Sequence, residues 1–233
     1  MKDILLIKRD LRLQRDPNRA RHAQRFFKTG KGEYGEGDRF LGLTVPTIRT
    51  IVNSHPQTTS ADGFALLHSP WHEERFAALL VLLRAYASAS EKEKGMIVKR
   101  YIASTRYINN WDLIDVTVPR VVGDYYLHRS HQPLMKLARS NNLWKKRIAI
   151  ISTAMFIREH KLDSTFQISK ILLHDKHDLI HKAVGWMLRE AGKRDVNRLR
   201  SFLKKHAPVM PRTMLRYAIE KMTPKERRGW MNR

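Results

Sequence analysis

Residues 181–189 read HisLysAlaValGlyTrpMetLeuArg, and their spacing decides the fold class. Val184, Met187 and Leu188 recur three and four residues apart, so one face of a helix is apolar and the other is not. GluArgPheAlaAlaLeuLeuValLeuLeuArg (74–84) and LysArgIleAlaIleIleSerThrAlaMetPheIle (146–157) carry the same periodicity. SerHisPro (54–56), SerAsnAsn (140–142) and HisAlaPro (206–208) break the chain between helices. Strand-like alternation is almost absent, which predicts an all-α protein.

Aligned with one another, these helices share a register. Arg75-Phe-Ala77, Arg147-Ile-Ala149 and Arg216-Tyr-Ala218 repeat Arg-x-Ala, with Lys182-Ala183 between the last two. The intervals are 72, 35 and 34 residues. Periods of that length belong to stacked helical hairpins, each burying its apolar face against its neighbours, so a short α-solenoid is expected. If the doubled interval hides one unit, its register position falls at Trp111. One turn further along, the equivalent residues are Leu79, Asp115, Ile151, Trp186 and Glu220.

The composition indicates a partner. Lys and Arg number 45 against 22 Asp and Glu, giving a formal charge of +23 over 233 residues. Such a charge destabilises a compact chain unless a polyanion uses it, and nucleic acid is the first candidate, ahead of a membrane surface. No apolar run is long enough to cross a bilayer, and the charged N-terminus does not read as a signal peptide. The sequence has no cysteine, which excludes disulfides, thiol catalysis and thiolate metal sites. The histidines show no metal-ligand spacing, and HisAspLysHis (174–177) reads as a turn between helices.

ThrGlyLysGlyGluTyrGlyGluGlyAspArgPhe (29–40) contains a GxGxxG spacing at Gly30, Gly32 and Gly35. A dinucleotide loop needs a strand before it and a helix after it. Here the preceding residues are helix-like, the loop carries Glu33, Glu36 and Asp38, and no ribose-binding carboxylate occurs at the expected distance. A flexible, exposed connection is expected instead, with Lys31 or Tyr34 as possible DNA contacts.

Trp111, Asp115, Arg147 and Trp186 each have a packing explanation: tryptophans fill cores, carboxylates cap helices or pair with arginine, and Arg147 stands beside Lys145 and Lys146 on a basic face. Taken together they suit a cationic planar group, with aromatic faces for cation–π attraction and a carboxylate as counter-charge. A purine alkylated at N3 or N7 is such a group. Its positive charge makes it a good leaving group, so a carboxylate that stabilises the oxocarbenium-like sugar and places a water would suffice.

AsnAsnTrpAspLeuIleAsp (109–115), TrpLysLysArgIleAlaIle (144–150) and LysAlaValGlyTrpMetLeuArgGlu (182–190) resemble the AlkD-like DNA alkylation repair glycosylases, as do the glycine loop and the PheLeuGlyLeuThrValPro after it. The resemblance implies HEAT-like helical repeats with a concave basic groove, and hydrolysis of N3- and N7-alkylated purines in double-stranded DNA without metal or cofactor. Asp115 would be the catalytic carboxylate and Trp111 and Trp186 the walls around the lesion. Arg147 would hold that carboxylate or a phosphate. Phe26 stands where some members have tyrosine and would touch the lesion without the hydroxyl. Lys31, Lys145, Lys146, Lys182, Arg189 and Arg216 would meet the backbone. The expected organisation is a single domain, 1–233, with an N-terminal cap to about residue 70, repeats over 71–222 and a basic tail over 223–233. A cytoplasmic, nucleoid-associated monomer is expected. The alternatives are a non-catalytic binder of branched or distorted DNA and, less favoured, a protein-interaction scaffold or an RNA-binding solenoid.

Overall fold

The computed structural model describes residues 2–232, and the fold is all-α. Among the described residues no strand forms, and one isolated bridge pairs Arg39 with Trp71. Contacts divide the chain into two compact units, Met1–Thr117 and Val118–Arg233.

The first unit contains α1 (Lys2–Leu13), α2 (Pro17–Phe26), α3 (Val45–Asn53), α4 (Ser60–Leu66), α5 (His72–Ala87), α6 (Glu91–Ala103) and most of α7 (Trp111–Val118). Asp16 starts α2 by accepting the amides of Asn18 and Arg19, with Pro17 in the first turn where a missing N–H costs nothing. Reciprocal side-chain-to-backbone bonds between Thr59 and Asp62, and between Ser90 and Glu93, start α4 and α6. The core is α5, buried from His72 through Leu82, against which α3 and α4 pack. α4 packs closely along α5.

In the second unit a π-helical turn, Pro119–Gly123, leads into α8 (Asp124–Tyr126). Then come α9 (Gln132–Ala138), α10 (Leu143–Arg158), α11 (Asp163–Ile171), α12 (Asp178–Arg194), α13 (Val196–His206), α14 (Arg212–Ala218) and α15 (Pro224–Met231). These form stacked pairs: α10 packs on α9 and α11, α12 on α11 and α13, while α10, α12 and α14 also pack on one another in that order. The α12–α14 contact depends on Gly185. A Cβ there would lie 2.5 Å from the Met214 carbonyl oxygen and from the Tyr217 Cβ. Gly185→Ala should therefore destabilise the protein by about 1–3 kcal/mol through overpacking, despite the better helix propensity of alanine. A urea midpoint that is unchanged or raised would contradict this close approach.

The helix boundaries correct one expectation about register. Arg147, Lys182 and Arg216 are each the fifth residue of their helix, and the fifth residue of α7 is Asp115, not Trp111. Burial agrees, since Leu113, Ile114 and Thr117 in α7 match Met214, Leu215 and Ala218 in α14. Trp111 stands one turn earlier, at the start of α7. The connections between helices differ in length, so interval arithmetic and helix position diverge: Arg147, Lys182, Arg216 and Asp115 share the fifth position, whereas Arg75 is the fourth residue of α5.

Candidate active site

The first unit concentrates its buried charge at the start of α5. His72, Glu73, Glu74 and Arg75 are consecutive, ionisable and all at least 96% buried, so each requires a partner. Glu73 accepts the amides of Leu41 and Gly42 at 2.8 and 2.7 Å. Glu74 takes Arg12 Nε at 2.8 Å and the Ser69 hydroxyl at 2.7 Å. Arg75 donates to Asp38 at 2.8 Å and to Asn109 Oδ1 at 3.2 Å. His72 bridges two carboxylates, with Nδ1 3.3 Å from Asp38 and Nε2 2.8 Å from Asp112. Asp38 closes the glycine loop and Asp112 lies in the first turn of α7, so one imidazole ties both segments to the core helix.

Burial alone would push the His72 imidazole down. The charge and hydrogen bond of Asp112, with the hydrogen bond of Asp38, outweigh burial and the opposing Arg75, and raise it to about 9. For Asp38 burial acts upward, but His72 and Arg75 prevail and hold it below the usual carboxylate range. The cluster therefore contains two cations, His72 and Arg75, and two anions, Asp38 and Asp112. Three buried polar atoms around it have no hydrogen-bond partner: Arg75 Nε, Asn110 Nδ2 and Asp112 Oδ1.

Aromatic stacking extends this cluster to Trp111. Phe27 stacks on Trp111 at 5.3 Å between ring centroids and on Phe40 at 5.2 Å, and Phe40 stacks on the His72 ring at 4.6 Å. Phe26 meets Trp111 edge-on at 5.9 Å and is itself largely exposed. The Trp111 amide donates to Asn110 Oδ1 at 2.8 Å, which fixes the start of α7. One turn on, Asp115 is half-buried, and its charge adds to burial in raising the Tyr101 hydroxyl against the Thr117 hydrogen bond. Of the predicted lesion-binding residues in this unit, Phe26 and Trp111 are thus in contact, and Asp115 shares the helix that Trp111 begins.

The glycine loop is held by its own acids. Gly30 N–H donates to Glu33 and Gly32 N–H to Glu36, both at 2.8 Å, and the Gly35 amide bonds the Lys28 carbonyl at 3.1 Å. Two of the amides that would cradle a phosphate are taken by carboxylates, and α2 rather than a strand enters the loop. The expectation of an exposed connection needs correction at its end, because Gly35 and Asp38 are buried. Lys31 is exposed.

The remaining predicted residues belong to the second unit. Arg147 is 4% exposed and donates through Nη1 to the Leu179 carbonyl at 2.6 Å, so it joins α10 to the start of α12. Trp186 is half-buried and lines a cavity of about 580 Å³ with Ala154, Ile157, Arg158, Lys193 and Arg194. Three of the cations assigned to phosphate already have carboxylates. Lys146 pairs with Asp175 at 2.6 Å, Lys182 with Asp178 at 2.6 Å, and Arg189 with Glu190 at 3.2 Å and also with Glu220. Lys145 and Arg216 have no carboxylate partner among the described residues, and Arg216 is exposed.

The sequence pattern of the DNA alkylation repair enzymes matches residues 7–222, nearly the whole chain. The chain belongs to the DNA alkylation repair enzyme family. No curated protein matches the sequence. Among solved structures it is similar to a predicted DNA alkylation repair enzyme from Enterococcus faecalis, with 17% identity, a TM-score of 0.70, and coverage of 91% of this chain and 98% of that one. The all-α architecture is therefore shared with that solved structure, and membership of the family implies DNA binding. Among the described residues no helix is long and apolar enough to cross a membrane, and no group of His, Asp and Glu could hold a metal ion.

For a member of this repair family the sequence reading missed His72, Asp38, Asp112, Phe27 and Phe40. One signal was available in HisGluGluArg, four ionisable residues opening a helix that is otherwise apolar. Such a run cannot face the core unless partners from elsewhere in the chain come to meet it.

Proposed function

We propose that the protein is a DNA glycosylase that hydrolyses the N-glycosidic bond of cationic N3- and N7-alkylated purines in duplex DNA. The observation that carries this reading is the half-buried Asp115 on a short helix whose first turn is fixed by a buried charge cluster and whose first residue is a stacked tryptophan. A surface that only binds phosphate has no use for a carboxylate at that position.

In the proposed reaction the bond from the sugar C1′ to the base nitrogen breaks, and its electron pair neutralises the positive purine. Asp115 stabilises the oxocarbenium-like sugar and orients a water, whose oxygen bonds C1′ as its proton passes to bulk solvent. The leaving group already carries its charge, so no general acid is needed to expel it. Trp111 is assigned as an aromatic face for the cationic base, on the order of 2 kcal/mol for a desolvated pair. Burial of Arg147 and its bond to Leu179 support a role in holding protein groups in place rather than a phosphate.

Release of free base from duplex DNA containing N7-methylguanine or N3-methyladenine tests the proposal. No release, with DNA still bound, would favour the binder of branched or distorted DNA.

Binding should weaken with salt by about 0.9 in log K per log unit of salt for each phosphate neutralised. Arg216→Ala should reduce that slope by roughly one phosphate's worth, as expected for a cation with no carboxylate partner. Lys182→Ala should reduce it less, because Asp178 already balances that ammonium. Equal changes from the two variants would show that the ion pair opens freely to DNA.

A further inference from the structure

A pocket of about 330 Å³ lies between α11 and α13, away from every residue assigned above. Its floor is Phe166 and Phe202, with ring centroids 5.6 Å apart, and its rim is Lys170, Arg198, Lys205 and His206. No carboxylate lines it. Lys170 and Lys205 are exposed and have no carboxylate partner among the described residues. Arg198 reaches Asp163 and lies 5.2 Å from the Phe166 ring centre. Burial, then the charges of Lys170, Lys205 and His174, hold His206 below the ordinary imidazole range.

We propose that this pocket docks an acidic peptide segment of a partner protein through one aromatic or large aliphatic side chain. The pocket has room for one such group, and an apolar floor with a cationic rim is complementary to an apolar anchor flanked by Asp or Glu. Nucleic acid fits less well. A duplex backbone offers nothing apolar to fill the floor. The location also suits a partner that acts alongside DNA, because α11 and α13 are the first helices of their pairs, whereas Arg147, Trp186 and Arg216 lie on the second helices α10, α12 and α14.

The test is fluorescence anisotropy of a labelled Asp-Asp-Asp-Phe peptide with the full chain. Two control peptides replace Phe with Ala, or each Asp with Asn. The protein variant is Lys170→Glu with Lys205→Glu, both at exposed positions. Loss of the aromatic anchor should weaken binding by about tenfold or more, the value of one buried apolar side chain. The double variant should weaken it similarly while keeping base release and duplex affinity unchanged. No binding by wild type, equal binding of the Phe and Ala peptides, or equal binding by the double variant would each overturn the proposal. So would an oligothymidylate that binds the pocket where the peptide does not. Because the readout is peptide binding, these outcomes are separate from success or failure of the glycosylase assay.

Discussion

Asp115→Asn is expected to lower the rate of N7-methylguanine release by at least about 10²–10³-fold, the scale on which one preorganised electrostatic group acts. The substitution keeps size and shape and removes only the charge. The catalytic rate should fall, because the oxocarbenium-like sugar exists only in the transition state. DNA affinity should hold or rise, because a charge that repels phosphate has gone. Stability should change little, since the residue is half-buried and the helix start one turn away is fixed by Asn110 and Asp112. Equal single-turnover release by the two proteins would remove Asp115 from its assigned role. Loss of binding together with release would show instead that the residue shapes the DNA-binding surface.

His72→Leu should cost about 3–5 kcal/mol of folding stability, the usual result of removing one partner from a buried ion pair. Leucine leaves Asp112 facing the core without its imidazole, while Asp38 keeps Arg75. The pH dependence is the sharper test. His72 binds its proton more tightly in the folded protein than an unfolded chain would, so its contribution is fully present below about pH 6.5 and is lost as pH rises toward about 9. Across that window the unfolding free energy of the wild type should fall by up to about 1.4 kcal/mol per pH unit, and His72→Leu should lack that component. The groups that face the imidazole are Asp38, Asp112 and Arg75. Urea midpoints of both proteins at pH 6.5 and 9.5 decide the matter, and parallel declines would place the alkaline transition elsewhere.

The helices were legible in the sequence because their apolar periodicity is repeated. The position of Trp111 was not, since the connection preceding α7 differs in length from the others and only helix boundaries restore the register. The buried start of α5 was hidden for another reason. Glu73 and Glu74 read as solvated surface until Leu41, Gly42, Arg12 and Ser69 arrive from elsewhere in the chain. Three of the basic residues assigned to the DNA backbone also carry carboxylate partners. Asp178 and Lys182 are one helical turn apart and their pairing could be read in advance, whereas the pairs Lys146–Asp175 and Arg189–Glu220 join different parts of the chain.

The balance of charge among Asp38, His72, Arg75 and Asp112 also bears on inheritance. Each residue alone is a poor candidate for replacement, because a single change leaves an uncompensated ion inside the protein. Drift at these positions should therefore be concerted. A relative that has lost Asp38 should have given up His72 or Arg75 as well, and one with an apolar residue in place of His72 should carry a neutral residue where Asp112 stands. Across the family, four sites spread over some seventy residues of sequence should change as a set or remain as they are.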